Sequence, residues 1–153
     1  MGLRDRLQTA LKDAMRAREP DRLSTLRLTN AAIKARDNAA RGEGRGEDGV
    51  PEAEVLAILG KMVKQRQESV KLYEEGGRLE LAEKELAEIR VIEEFLPRQL
   101  APAEIEAAIT AAIDEVGAAG IRDMGRVIAA LKARYAGQMD FGAVGPMVKA
   151  RLG

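Results

Sequence analysis

Four cations lie close together in the middle of the chain, in a segment with helical spacing. Lys61, Lys64, Arg66 and Lys71 are three, two and five residues apart. Residues three or four apart share a helix face, so part of this set can line one surface. Cations that neutralise phosphates release counterions, which drives nucleic-acid binding. The alternative is that these side chains pair with the acidic helix that follows them and stay solvated.

The side chains that most enzymes use for nucleophilic and acid–base chemistry are missing. The sequence has no Cys and no His, which removes the thiolate nucleophile, the imidazole base and the usual ligands of zinc. Two serines and four threonines remain, with no histidine to activate them. We therefore expect a chain that is not catalytic alone and that uses no cofactor and no metal.

Carboxylates are concentrated between residues 83 and 94. This acidic surface consists of Glu83, Glu85, Glu88, Glu93 and Glu94. Clustered carboxylates can hold two metal ions inside a helical bundle, but such sites also use a Glu-x-x-His motif. Because no His is present, a solvated acidic face is the favoured interpretation.

Composition predicts an all-α protein. Charged residues make up 33% of the chain and aromatic residues only 3%, a bias typical of helices with an aliphatic core. The 25 basic residues balance the 25 acidic residues, so charge alone does not indicate nucleic-acid binding. No apolar run reaches the length of a membrane span, and the amino terminus has no signal-peptide core. We expect no membrane association and a cytoplasmic location.

Residues 1–97 are expected to form an N-terminal domain of helical hairpins with long antiparallel helices. Pro20 separates the first two helices, and Asp21 is a candidate cap for the second. Residues 41–50 combine glycine with charge, which predicts a mobile loop. Gly76-Gly77 separates two further helices by a short turn, which favours antiparallel packing.

The apolar faces of these helices follow from their spacing. Met15 is expected on the buried face of the first helix and Leu86 on that of the fourth. The opposite face of the second helix is basic. Its cations are Arg22, Arg27, Lys34 and Arg36.

Residues 98–153 are expected to form a C-terminal three-helix bundle. Pro97 marks the boundary, and an apolar stripe then runs from Ile105 until Gly117 ends the first helix. Asp123 is a candidate cap for the second helix, and the third is expected to start near Gly142.

Several separated motifs together resemble the YqeY proteins of the GatB/YqeY family. The resemblance spans the whole chain and implies an all-helical protein with a longer N-terminal part and a C-terminal three-helix part. The motifs are Leu23-Ser-Thr-Leu-Arg-Leu28, Lys61-Met-Val-Lys-Gln-Arg66 with Glu68-Ser69, Gly77-Arg78, Leu81-Ala82 with Glu83-Lys84-Glu85, and Phe95-Leu-Pro-Arg-Gln-Leu100.

The C-terminal part also resembles the tail domain of GatB, a subunit of tRNA-dependent amidotransferases. The likeness rests on Met124-Gly-Arg-Val127, Ala136-Gly137, Asp140 and Val148-Lys149. It implies association with tRNA, and it adds Arg126 and Lys149 to the candidate RNA-binding residues. Arg78, from the Gly77-Arg78 motif, is a further candidate. Basic residues common in the family are missing at Gln138 and Ala143, which removes two charges that could meet phosphate.

Three hypotheses about function follow from these features. The first is a non-catalytic accessory module that binds tRNA. The second is a protein-binding adaptor with an exposed apolar groove in the C-terminal part, for which the candidates are Met124, Met139, Phe141 and Met147. The third, implied by the family, is a component of a carbon–nitrogen ligase that uses glutamine as amido donor and is active only in a complex.

Overall fold

The computed structural model describes residues 2–44 and 48–153, and every regular element in those ranges is helical. The all-α prediction is confirmed. In chain order the helices are α1 (Leu3–Arg16), α2 (Pro20–Gly42), α3 (Glu52–Glu75), α4 (Leu79–Glu93), α5 (Pro102–Val116), α6 (Met124–Tyr135) and α7 (Phe141–Leu152), with a short 3-10 turn at Ile121–Asp123.

The helices group into two compact units. Met1–Leu96 contains α1 to α4, and Pro97–Gly153 contains α5 to α7. The division falls at a proline, and a residue that precedes proline avoids the helical conformation. The assignment of residues 1–97 and 98–153 to two separate domains stays a prediction.

In the N-terminal unit, α3 and α4 form a hairpin closed by two glycines. Gly77 has a φ of +72°, a conformation that is open to glycine without steric cost. The Arg78 amide donates to the Tyr73 carbonyl at 2.7 Å, and the Gly77 amide donates to the Glu74 carbonyl at 3.1 Å. These two hydrogen bonds end α3 and let the chain reverse direction, as the Gly-Gly pair predicts.

The core of the N-terminal unit is aliphatic and centred on α3 and α4. Val55 and Leu59 have no exposed surface, and Ile92 is 1% exposed. Two expectations from helical spacing are wrong, because Met15 is 52% exposed and Leu86 is 36% exposed. Each lies at the edge of its helix's apolar stripe, where the neighbouring helix no longer covers it.

The ends of α2 differ from the sequence expectation. The helix begins at Pro20 with Glu19 at the cap position, so Asp21 lies in the first turn and does not cap it. Proline at the first helical position loses no hydrogen bond, because that amide has no partner inside the helix. At the other end α2 continues to Gly42, so Arg41 is helical and does not start the loop. Residues 45–47 of the predicted loop lie outside the described residues.

The C-terminal unit packs three helices around an aliphatic core. Its best-buried side chains are Ile109, Val127, Leu131, Val144 and Val148, each at most 1% exposed. Gly117 has a φ of +63° and ends α5 as predicted. The last helix begins at Phe141, one residue earlier than favoured, and the Gly142 amide donates to the Asp140 carboxylate at 3.0 Å.

Asp123 precedes α6, but its side chain does not bond to the first amides of that helix. Instead it accepts hydrogen bonds from the Ala119 amide at 2.9 Å and the Gly120 amide at 3.3 Å. These backbone bonds lower the pKa of the Asp123 carboxyl. The predicted cap is therefore wrong, since the carboxylate fixes the loop behind it.

Candidate nucleic-acid interface

Three of the four predicted cations in the middle of the chain lie exposed on α3. Lys61, Lys64 and Lys71 all point away from the core. Glu68 lies four residues after Lys64 and three before Lys71, and Glu75 lies four after Lys71. Carboxylates at these spacings neighbour the lysines on the helix surface and reduce the local positive potential. The α3 face therefore carries mixed charge.

Arg66 occupies a different position from these lysines. Its Nε lies 3.1 Å from Glu88 Oε2 of α4, and the two side chains are only 15% and 17% exposed. Its guanidinium also donates to the Met62 carbonyl at 3.1 Å. Burial, followed by the charge of Glu88, raises the pKa of the neighbouring Glu85. Arg66 thus cross-links α3 and α4, and little of it is exposed to phosphate.

Two candidate arginines pair with acidic neighbours in their own segments. Arg78 pairs with Glu80 at 3.1 Å, and both side chains are more than half exposed. Arg126 pairs with Asp123 at 3.2 Å and also donates to the Val116 carbonyl at 2.5 Å. The exposed Arg78–Glu80 pair is weak, so Arg78 can exchange its partner for a phosphate at small cost. Arg126 is held more firmly, because Asp123 is only 17% exposed.

Lys149 differs from these arginines. It is exposed on α7, and no described acidic side chain lies within the 4.0 Å of an ion pair. Among the predicted residues of the C-terminal unit, it is the one whose charge is most available to a ligand.

The basic face predicted for α2 divides into paired and unpaired cations. Arg22 bonds to Glu94 through both terminal nitrogens, at 2.6 and 3.1 Å. Arg36 lies 3.3 Å from Glu54 and 3.8 Å from Glu43. Glu94 and Glu54 come from elsewhere in the chain, so helical spacing within α2 cannot reveal them, whereas Glu43 directly follows α2 and lies seven residues after Arg36.

An ion pair between Arg4 of α1 and the buried Asp37 of α2 was not predicted from the sequence. The Arg4 guanidinium donates to both oxygens of Asp37, at 3.0 and 2.8 Å. The Val50 amide donates to the same carboxylate at 2.8 Å, and Arg4 donates to the Val50 carbonyl at 3.0 Å. The Arg4 hydrogen bond is the main reason that the pKa of Asp37 falls to about 2.

The hydrogen bonds among Arg4, Asp37 and Val50, which we call the Arg4–Asp37 closure, join α1, α2 and the segment before α3. Gly49, which precedes Val50, has a φ of +93°, and a Cβ there would come within 2.8 Å of the Arg4 guanidinium. A lone Asp on the inner face of a helix is the only sequence signal for such a site, and it does not name its partner.

The hydroxyl groups offer no nucleophile with a base beside it in the described residues. Thr25 donates to the Asp21 carbonyl at 3.2 Å and Thr29 to the Thr25 carbonyl at 3.1 Å, both within α2. Ser69 does the same with Gln65 in α3 at 3.2 Å. Across residues 2–44 and 48–153, no group of three or more acidic side chains is placed to hold a metal ion. None of the described helices is long and apolar enough to cross a membrane.

The predicted apolar groove of the C-terminal unit is wrong. Met139 is 7% exposed and belongs to the buried core. Met124, Phe141 and Met147 are partly buried and pack against that core. Their hydrophobic area is already used inside the unit, so it does not form an open groove.

The fold defines an all-helical protein of two small bundles whose exposed helix faces carry cations. The chain belongs to the family described as Yqey-like protein, whose sequence profile matches residues 4–152. It is also similar to the uncharacterized protein C22F3.15 of Schizosaccharomyces pombe, with 29% identity over 91 residues, which cover 60% of this chain and 69% of that protein. The resemblance to YqeY proteins is therefore confirmed, and the likeness to the GatB tail stays a prediction.

Proposed function

We propose that this protein is a non-catalytic RNA-binding module associated with tRNA. The supporting observation is a set of exposed cations on helices for which no ion pair lies within 4.0 Å in the described residues. On α3 these are Lys61 and Lys71, and on α7 it is Lys149. Rigid helices hold such charges at set positions without the entropy loss of ordering a loop.

The side-chain chemistry of the chain supports the non-catalytic part of this proposal. Release of ammonia from glutamine requires a nucleophile with an activating group. The sequence has no Cys and no His, and the hydroxyls of Thr25, Thr29 and Ser69 bond to their own helices. A role in holding RNA requires none of these groups.

Titration of the full chain with fluorescently labelled bulk tRNA, followed by anisotropy, tests the proposal. We expect binding at about 50 mM salt that weakens steeply at about 200 mM, because counterion release drives it. A chain that does not bind tRNA at the lower salt concentration contradicts the proposed function. Production of glutamate and ammonia from glutamine by the purified chain contradicts its non-catalytic part.

A protein-binding adaptor is the second candidate, supported by the tip of the α3–α4 hairpin. Leu72 and Leu79, on either side of the Gly76-Gly77 turn, are 68% and 63% exposed. Exposed apolar side chains that lie close together mark sites of contact with other proteins. Affinity capture after nuclease treatment, with the chain and with Leu72→Ser/Leu79→Ser, tests this. Partners that persist with the chain and are lost with the variant support the adaptor, and identical captures contradict it.

A further inference from the structure

The outer face of α2 carries cations but almost no exposed acid. Arg27, Lys34 and Arg41 are all exposed. We call these three residues the α2 basic stripe. No described acidic side chain lies within 4.0 Å of Arg27, Lys34 or Arg41. Arg41 donates to the Asn38 side chain at 3.1 Å, an uncharged partner.

The spacing of the α2 basic stripe is seven residues at each step. Seven residues of α-helix advance by about 10.5 Å and return to within about 20° of the same direction. The three cations therefore form a nearly straight row about 21 Å long on one side of the helix. A row of that length can meet several phosphates of an extended backbone at once.

The side chains between the cations are small or uncharged. Ser24, Ala31, Ala35 and Asn38 are exposed on the same side of α2. Short side chains let a polyanion approach the helix closely, so the charges of the stripe act at short distance. This face of α2 therefore has no exposed carboxylates among its cations, whereas on α3 Glu68 and Glu75 lie beside the lysines.

The single acid in the second half of α2 faces inward. Asp37 is 6% exposed and is bound by Arg4 and the Val50 amide. Asp37 therefore points away from the outer face between Lys34 and Arg41, although the charge of Arg41 still contributes to lowering the pKa of its carboxyl.

We propose that the α2 basic stripe binds the phosphate backbone of RNA. This inference rests on the proposed function and assigns it a surface that the sequence analysis did not include among its candidate residues. The centres of protein–protein interfaces are depleted of charge and enriched in aromatic anchors, whereas this face of α2 is charged and the helix contains no aromatic residue. The same lack of a stacking side chain predicts binding without preference for base sequence.

The test compares two variants of the full chain that lose the same charge. The first is Arg27→Gln/Lys34→Gln/Arg41→Gln on α2. The matched control is Arg16→Gln/Lys84→Gln/Arg90→Gln, which removes three exposed cations of α1 and α4 that belong to no proposed binding surface. Glutamine is a good helix former, so both variants should keep their helices, which circular dichroism checks.

Affinity for labelled tRNA is measured for the chain and both variants at about 50 and 200 mM salt. We expect the α2 variant to bind at least about 10-fold more weakly at the lower salt concentration and its salt slope to fall by about 2, because up to three phosphate contacts are lost. The control variant should stay within about 3-fold of the unmodified chain, since its three cations lie on α1 and α4, away from the α2 basic stripe.

The possible failures are distinguishable. If the unmodified chain does not bind tRNA, the proposed function fails together with this inference. If it binds and the α2 variant binds equally well, only the assignment to α2 is overturned. Competition with a glutamate-rich helical peptide tests the alternative occupant. Displacement of tRNA by that peptide at equal charge concentration overturns RNA as the ligand of this face.

Discussion

Two Arg–carboxylate pairs, one in each unit, have the same local chemistry in different surroundings. Arg4 bonds to both oxygens of Asp37, and Arg98 bonds to both oxygens of Glu104 at 2.8 and 2.9 Å. Each carboxylate also accepts a hydrogen bond from a backbone amide: Asp37 from that of Val50, and Glu104 from that of Ala101. The pKa of each carboxyl is lowered to about 2, mainly by its arginine.

The two pairs differ in burial, which decides their role. In the first pair Arg4 is 40% exposed but Asp37 only 9%, whereas in the second Arg98 and Glu104 are 68% and 42% exposed. Water and salt can replace the partners of an exposed pair, but not those of a buried carboxylate. We infer that the Arg4–Asp37 closure stabilises the N-terminal unit, while the Arg98–Glu104 pair mainly shapes the start of α5.

The largest expected effect comes from Asp37→Ala. The substitution leaves Arg4 and the buried Val50 amide without their acceptor, and we expect a loss of about 3 kcal/mol in the free energy of unfolding. Urea unfolding followed by circular dichroism measures it. The matched control, Glu104→Ala, should cost much less. Equal losses for the two variants would show that burial does not distinguish the pairs.

Acid should next reveal the contribution of Asp37 to stability. The folded pKa of Asp37 is about 2, below its ordinary 3.8, so its contribution is complete above the ordinary value and is lost as pH falls towards about 2. We expect the chain to lose about 2 kcal/mol more than Asp37→Asn between about pH 5 and pH 2. Urea unfolding of both proteins across that range provides the measurement. The same acid loss in both would contradict the role of Asp37.

Alanine substitutions at two glycines with positive φ, one in each unit, test the effect of disturbing the Arg4–Asp37 closure. Gly49→Ala places a Cβ 2.8 Å from the Arg4 guanidinium at a φ of +93°, whereas Gly117→Ala at +63° meets nothing within 4 Å. We expect Gly49→Ala to cost about 2 kcal/mol and Gly117→Ala about 1 kcal/mol, since both strain the backbone but only the first also disturbs the closure. Thermal and urea unfolding measure both, and a greater cost for Gly117→Ala would reverse the interpretation.

The smallest expected effect is a response to salt. At about 1 M salt the pKa of Glu104 should rise towards its ordinary value, because its pair is exposed and screened. The pKa of Asp37 should change little. Carboxyl-carbon NMR titrations at low and high salt follow both groups in one sample. A larger shift for Asp37 would contradict the difference in burial.

Much of the fold could be predicted from the sequence, because the signals are local. Gly77 and Gly117 end helices through their own backbone freedom, and Pro20 starts one through its fixed φ. Hydrophobic periodicity predicted the wrong burial for Met15 and Leu86, because their exposure depends on whether another helix covers them.

The candidate site was predicted less well. The exposure of Lys61 and Lys71 follows from spacing, but the partner of Arg66 lies 22 residues away on α4.

The amino-acid sequence by itself determined that this protein is helical, where its helices break, and that thiol and imidazole chemistry is excluded. These properties depend on residue types and on backbone preferences over a few residues. Only the tertiary structure decided which cations are neutralised and which face outward. Arg22 and Glu94 are 72 residues apart in the sequence, and Arg4 and Asp37 are 33 apart. Such ion pairs form only when packing brings the two charges within about 4 Å.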